Sequence, residues 1–203
     1  SDRPDGPFLD FNGHDLNLEE DHTPMILAPY QFAGHGGYQG VAHCGIVSDG
    51  GQFYMAHQAR PTVNSYFMNL HIRKILWTSD GWPVVSPERY AGTEQIPVNQ
   101  SDISGQWERI EFGYRTVPGY DKEQISPDLQ IAAPITLATD GSVNGNAANQ
   151  WTFSPPQLKI IWANGRTDNL LVERGRDWEN KKNGLLFTGM NDVGTAVWGK
   201  KTN

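Results

Sequence analysis

Short runs in which apolar and polar residues alternate dominate the chain. Residues 40–47 form an apolar run of small residues, an Asp-Gly-Gly turn signal follows at residues 49–51, and residues 52–58 alternate like a returning strand. Residues 67–77 alternate again, with His71 and Arg73 on one side and Leu70 and Ile72 on the other. Residues 25–86 therefore predict about four antiparallel strands, the size of one blade of a β-propeller.

The second half continues as short strands separated by turn signals. The pattern predicts strands at residues 105–114, 131–139, 150–152, 158–162, 170–176, 185–188 and 195–200. Together they indicate a small β-barrel or sandwich of about 100 residues. All six histidines lie in residues 1–91, and the later residues contain none. We place the domain boundary at this change in composition, which gives residues 1–92 and 93–203.

The composition supports an all-β fold and excludes several classes of protein. Of 203 residues, 22 are Gly and 13 are Pro, 11% are aromatic and only 19% are charged, which argues for tight turns and against disorder. The net charge of −7 excludes a nucleic-acid partner that would require a basic face. No apolar stretch approaches the roughly 20 residues of a membrane span.

His43 is the residue whose surroundings suggest chemistry most directly. It lies in the small apolar run, where an imidazole must find partners for both ring nitrogens. One solution is a metal ion, and the other is a core histidine bonded to backbone carbonyls. A third possibility pairs the imidazole with Cys44, but neighbouring residues on one strand point to opposite faces.

Other candidate residues are weaker. His57 and Arg60 come where a strand ends, so that Arg60 could clamp a sugar hydroxyl or a carboxylate, although a structural arginine is the commoner case. Glu88 is expected to be a structural carboxylate paired with a nearby arginine. Seven tryptophans could stack on sugars, and we expect one or two at most to be exposed. No pair of carboxylates suited to acid and base catalysis is evident.

Four segments resemble glycoside hydrolase family 43, and in particular endo-α-1,5-L-arabinanases that carry an extra C-terminal β domain. The most specific is WTSDGWPVVSPERY at residues 77–90, which is similar to the end of the last propeller blade of that family. The others are SDRPDGPF at residues 1–8, AHCGIV at 42–47 and LFTGMNDVGTAVWGKK at 186–201. The resemblance thus extends over the whole chain.

The resemblance implies a five-bladed propeller that hydrolyses α-1,5-arabinan with inversion, by an Asp base, a Glu acid and a second Asp that tunes the acid. All three belong to earlier blades, so no catalytic residue is expected in this chain. His43 matches the family's metal-binding histidine, with Ala42 in place of the usual Gly. It would contact one calcium ion coordinated mostly by water, since calcium prefers oxygen ligands.

We therefore expect the last blade of a five-bladed propeller, followed by a β-barrel-like accessory domain. The chain begins with neither a Met nor a signal peptide, and we expect residue 1 to lie within a longer gene product. The expected partners are the N-terminal part of the propeller, as a second chain or a lost segment, and arabinan. The resemblance implies an extracellular or periplasmic location. The alternative is a non-catalytic carbohydrate-binding or structural β module.

Overall fold

The computed structural model of the protein describes residues 1–18, 20–113 and 129–202, and the regular secondary structure in them is almost entirely β-strand. A single four-residue helical turn, α1, separates two groups of strands in sequence, and no helix in the described residues is long and apolar enough to cross a membrane. The elements are β1 (Tyr30–Gln31), β2 (Tyr38–Asp49), β3 (Gln52–Pro61), β4 (Asn69–Trp77), β5 (Pro83–Val85), α1 (Gln100–Ile103), β6 (Gly105–Glu111), β7 (Gln130–Ile131), β8 (Ala133–Leu137), β9 (Ser142–Val143), β10 (Asn146–Ser154), β11 (Gln157–Ile161), β12 (Thr167–Asp177), β13 (Lys182–Asn191) and β14 (Ala196–Lys201).

The first group of strands forms a six-stranded sheet with the order β5-β4-β3-β2-β1-β7. The hairpin between β2 and β3 turns at Gly50 and Gly51, whose φ values of 56° and 83° explain why the turn signal contains two glycines. β7 belongs to the later part of the chain but pairs in parallel with β1, so the two halves share one sheet. The predicted boundary at residues 92 and 93 lies between β5 and α1 and stays a prediction.

The second group of strands closes into an eight-stranded barrel with the order β10-β11-β12-β13-β14-β6-β8-β9. The all-β class and the C-terminal barrel predicted from the alternation are therefore confirmed. Closure leaves the barrel without an open edge, and its interior is filled by side chains that include Trp107, Trp151 and Phe187.

A second core lies between the sheet and the barrel. Tyr30, Ile75 and Val85 of the sheet pack there against Phe112 and Trp198 of the barrel segment. The ring centroids of Tyr30 and Trp198 are 5.2 Å apart and those of Phe112 and Trp198 are 4.7 Å apart, both edge to face. This arrangement of aromatic rings favours a fixed orientation of the sheet on the barrel.

The alternation along β4 assigns the two faces of the sheet in an unexpected way. His71, Arg73 and Ile75 are buried, the last two against the barrel, whereas Leu70 is 71% exposed and Ile72 is 41% exposed. Apolar side chains of an isolated sheet normally face its core. The reversal here means that the polar face is covered and the apolar face is not.

Candidate functional site

The less covered side of the sheet, which we call the open face, carries exposed apolar side chains together with the polar side chains of Gln58 and Lys74, and Lys74 reaches Glu173 of the barrel at 3.2 Å. Cross-strand pairing places Val47, Tyr54, Ala56, Leu70 and Ile72 on it, because Ala56 is opposite Ile72 and Val47 is opposite Tyr54. Val47, Leu70 and Ile72 are all exposed. Exposed apolar side chains grouped in this way on a folded protein mark an interaction site.

His43 lies at this face on an irregular part of β2. Between the pairs Gln39–Arg60 and Ala42–Gln58, and again between Ala42–Gln58 and Gly45–Ala56, β2 contains one residue more than β3. His43 lies in the second of these bulges with a φ of 55°, a conformation that non-glycine residues rarely adopt. Bulges re-aim side chains, and such strained positions are concentrated at functional sites.

The imidazole of His43 is exposed and lines a shallow cavity of about 340 Å³ together with Gly45, Ala56, His57 and Leu70. The interpretation of His43 as a core histidine is therefore wrong for this chain. That description fits His57 and His71, which are 1% and 0% exposed. The sequence pattern alone did not separate the three histidines because all of them lie in strands.

His57 lines the same cavity, but both of its ring nitrogens are engaged. Its Nδ1 donates to the carbonyl oxygen of Gln58 at 2.9 Å, and its Nε2 accepts from Arg73 Nε at 3.0 Å. Burial, together with the positive charge of Arg73, lowers the pKa of His57 to about 4. His57 is thus a neutral structural histidine, and His43 is the exposed imidazole beside it.

Arg73 is fully buried at the centre of the contact between sheet and barrel. Besides His57, it donates to the carbonyl oxygen of Ser86 at 2.9 Å and to the hydroxyl of Tyr30 at 2.5 Å. Its guanidinium carbon lies 4.8 Å from the centroid of the Trp198 ring and 5.1 Å from that of Tyr30. These contacts replace the water that a buried cation loses.

His71 is packed between the rings of Tyr38 and His57, at centroid distances of 4.6 and 5.3 Å. Neither of its ring nitrogens has a hydrogen-bond partner among the residues that the structure describes. Burial first, and then the charge of Arg73, lower the pKa of His71 to about 3. His71 is therefore uncharged at neutral pH and buried at a cost.

A second buried polar cluster contains three carboxylates and one ammonium group. Lys200 Nζ contacts Glu88 at 3.1 Å, Asp177 at 3.1 Å and Glu179 at 2.7 Å. We call these four residues the Lys200 cluster. Glu88 comes from the segment after β5, whereas the other three come from the barrel, so that the cluster joins the two parts of the fold.

The electrostatics of the cluster follow from its burial. Burial, and then the charge of Glu179, raise the pKa of Glu88 to about 8. Burial alone would raise the pKa of Glu179 too, but the hydrogen bond with Glu88 and the charge of Lys200 hold it below its usual value. The pKa of Lys200 is raised by the carboxylates in spite of its burial. These three pKa shifts are consistent with a protonated Glu88 that donates a hydrogen bond to an ionised Glu179.

These observations limit where a metal ion could bind. A metal ion needs several His, Cys, Asp or Glu ligands close together. In the described part of the chain, one set of three such side chains has its ligand atoms within 4.8 Å of one another, namely Glu88, Asp177 and Glu179 of the Lys200 cluster. The ammonium group of Lys200 already contacts all three carboxylates of that set. Among the described residues, His43 belongs to no such set of three ligands. It therefore suits a metal site in which the imidazole is one ligand and the other ligands are water molecules or groups from other chain segments.

The remaining sequence-based candidates have structural roles. Arg60 donates to the carbonyl oxygen of Ser65 at 2.8 Å, and the clamp for a sugar hydroxyl or a carboxylate stays a prediction. The prediction that Glu88 pairs with an arginine is wrong, because its partner is Lys200. Cys44 is an exposed free thiol. Among the tryptophans Trp77 is the exposed one, at 50%, and its ring packs edge to face on Phe53.

Sequence reasoning missed Lys200, His71 and Arg73 as members of one buried interface. The alternation along β4 did place His71 and Arg73 on one side with Ile75. The apolar Leu70 and Ile72 on the opposite face of the same strand were the local signal that the polar side chains could be the buried ones. Lys200 gave no such signal, because its partners are far away in the sequence.

The fold and its surfaces define an all-β unit: a closed eight-stranded barrel fixed to a sheet that carries exposed apolar side chains on its other face. A match to a family model covers residues 87–199, more than half of the chain, and the family is described as GH43_C, C-terminal lipocalin-like domain. The chain therefore belongs to this family of C-terminal domains.

Proteins similar to the chain are glycoside hydrolases. The extracellular endo-alpha-(1->5)-L-arabinanase 2 of Bacillus subtilis is 26% identical over 99% of this chain and 45% of its own length. A glycoside hydrolase family 43 protein, YxiA, from Bacillus licheniformis has a TM-score of 0.84 at 24% identity, and an endo-1,5-alpha-L-arabinanase from Thermotoga petrophila has 0.83 at 21%. Both alignments cover the whole chain but 47% of those proteins, so the chain spans less than half the length of these relatives.

Proposed function

We propose that the chain is the C-terminal part of an inverting endo-α-1,5-L-arabinanase that acts outside the cytoplasm. In this proposal the sheet is the last blade of a five-bladed propeller, and the barrel is an accessory domain that holds the blade. The observation that carries the proposal is the open face, with Leu70 71% exposed on it. In this proposal the rest of the propeller would cover this face.

The carboxylates of the chain support a catalytic centre elsewhere in the enzyme. Inverting hydrolysis needs an acid and a base about 6.5–9.5 Å apart with room for water and sugar between them. The buried carboxylates described here have structural partners instead: Asp10 accepts backbone N–H groups, Asp168 binds Arg109 and Glu173 binds Lys74. Glu88 has the raised pKa of a general acid, but it is buried against Lys200.

We propose that His43 provides one ligand to a calcium ion at the propeller axis. The support is its exposed imidazole on the open face and the bulge that holds it at a φ of 55°. When bound, the ion would add positive charge beside the catalytic acid. The role of this chain is to hold the imidazole in place: β3 supports the bulge, and Arg73 keeps the neighbouring His57 neutral and bonded elsewhere.

Activity of the longer gene product tests the enzyme proposal. We expect the product that includes the upstream coding region to hydrolyse linear α-1,5-arabinan to products of inverted configuration, detected by NMR of the reducing ends. Residues 1–203 alone should release no reducing sugar. Hydrolysis by residues 1–203 would contradict the proposal that the catalytic carboxylates lie outside this chain. Binding of arabinan by the longer product without hydrolysis would favour a non-catalytic module.

Metal content tests the role of His43. We expect His43→Ala in the longer product to lose bound calcium, measured by mass spectrometry after gel filtration, together with activity. Cys44→Ala is the matched control, because it changes an exposed neighbour in the same strand. It should retain both. Unchanged calcium in His43→Ala would refute the ligand role even if activity fell.

A further inference from the structure

One end of the barrel contains a polar cavity of about 580 Å³. Its lining comes from the end of β6, from β10, from the turns after β11 and β13, and from the start of β12. The volume lies in the range of small-molecule binding pockets. We call it the barrel-end cavity.

A rigid aromatic wall forms one side of this cavity. The indole Nε1 of Trp162 donates to the Asp168 carboxylate at 3.0 Å, and the guanidinium carbon of Arg109 lies 5.1 Å from the centroid of the indole ring. Asp168 is 1% exposed and also accepts from Arg109 Nε at 3.0 Å and Nη2 at 2.8 Å. Three side chains from three different elements thus fix one another, and the partly exposed indole is held in a single orientation.

Amide side chains surround the aromatic wall. Asn149 Oδ1 accepts the backbone N–H of Ala163 at 2.7 Å, and Asn164 Oδ1 accepts that of Arg166 at 3.0 Å. These bonds orient both side chains through their oxygen atoms. Each NH2 group then remains a donor with no acceptor among the residues that the structure describes, and both side chains line the cavity. Such donors suit hydroxyl groups of a ligand.

The charges that line the cavity cancel. Arg109 binds Asp168 and, at 3.0 Å, Glu111, while Arg166 lies 3.6 Å from Asp192. The lining thus contains two cations and two anions, Arg109 and Arg166 with Glu111 and Asp168. An anionic ligand gains nothing from such a balanced site, whereas a neutral ligand with many hydroxyl groups finds donors, acceptors and one aromatic wall.

We propose that the barrel-end cavity binds a neutral oligosaccharide, with Trp162 as its aromatic wall and Asn149 and Asn164 as donors to sugar hydroxyls. The class of ligand rests on the cavity. Its further assignment as an α-1,5-linked arabinofuranosyl chain rests on the proposed function. A binding site on the accessory barrel would keep the polysaccharide close to a catalytic centre on the adjoining propeller and raise its local concentration.

The test is an NMR titration of the ¹⁵N-labelled chain with four trisaccharides: α-1,5-arabinotriose, xylotriose, maltotriose and the anionic galacturonotriose. We expect arabinotriose to shift the amide signals of residues 146–149 and 162–168, and galacturonotriose to leave them unchanged. Ala163→Arg and Ala163→Glu place side chains of opposite charge in the cavity at an exposed turn position, and both should weaken binding at least tenfold, about 1.4 kcal/mol. Ala33→Arg, at an exposed position outside the cavity, should bind like the parent.

The outcomes separate the site from the enzyme. Shifts at these residues with xylotriose or maltotriose but not with arabinotriose would support the neutral-sugar site and contradict arabinan as its ligand. Hydrolysis of arabinan by the longer product with no trisaccharide bound to the barrel would overturn the site and leave the enzyme proposal intact. Binding that both Ala163 variants retain, or a preference for galacturonotriose, would also overturn it.

Discussion

Lys200 of the barrel donates to Glu88 of the sheet segment at 3.1 Å, and both side chains are almost completely buried. The pair crosses the boundary between the two parts of the fold, 112 residues apart in sequence. Glu88 keeps its proton at neutral pH, so the ammonium group has its ionised partners in Asp177 and Glu179 and makes a charge-assisted hydrogen bond to Glu88. The pair therefore fixes the barrel to the sheet in one arrangement.

Removal of the ammonium group should destabilise the fold strongly. Lys200→Met retains much of the side-chain volume but leaves Asp177 and Glu179 without their cation, so we expect a loss of about 3–5 kcal/mol in the free energy of unfolding. Guanidinium denaturation at neutral pH measures it. Lys159→Met, at an exposed position of β11, is the control and should change stability by less than about 0.5 kcal/mol. A loss for Lys200→Met as small as that of the control would contradict the structural role of the cluster.

The raised pKa of Glu88 makes stability depend on pH in the neutral range. In the unfolded chain Glu88 ionises near its ordinary pKa of 4.5, whereas in the folded protein it keeps its proton up to about pH 8. The folded state thus binds more protons, and stability from this group falls as pH rises from 4.5 to 8. Between pH 6.5 and 8 we expect the parent to lose up to about 2 kcal/mol and Glu88→Gln to lose much less. Urea denaturation at pH 6.5, 7.2 and 8 measures this, and equal slopes would show that Glu88 is ionised throughout.

His71 has the opposite dependence on pH. Its folded pKa of about 3 lies below the ordinary value of 6.5, so the unfolded state takes up the proton first and stability falls as pH decreases below 6.5. His71→Leu removes both unpartnered ring nitrogens, so we expect equal or greater stability at pH 7 and a smaller loss between pH 6.5 and 4. Thermal unfolding monitored by circular dichroism measures both effects. His35→Leu, in the loop before β2, controls for loss of a histidine, and a marked destabilisation specific to His71→Leu would reveal a partner for its imidazole.

Local sequence patterns predicted the strands and the tight turns because both depend on neighbouring residues. The Asp-Gly-Gly signal gave the β2–β3 hairpin, and alternation gave both faces of β4. Which face is buried could not be read from β4 itself, since it depends on the barrel that arrives about 30 residues later. The same limit applies to Lys200 and Glu88, whose pairing is a long-range consequence of barrel closure. His43 was identified as a candidate from the local sequence. Its exposure depends on two bulges in β2, which the local sequence pattern did not predict.

The open face predicts that one substitution has different consequences in two molecules. Leu70 is 71% exposed in residues 1–203, so Leu70→Asp should change their unfolding free energy by less than about 0.5 kcal/mol, measured by urea denaturation. In the longer gene product a neighbouring blade would bury this position, and an unpaired carboxylate there should cost several kcal/mol. Ile161→Asp, at an exposed position on the barrel strand β11, is the matched control and should behave alike in both molecules. If Leu70→Asp is harmless in the longer product as well, the open face is not the surface that meets the rest of the enzyme.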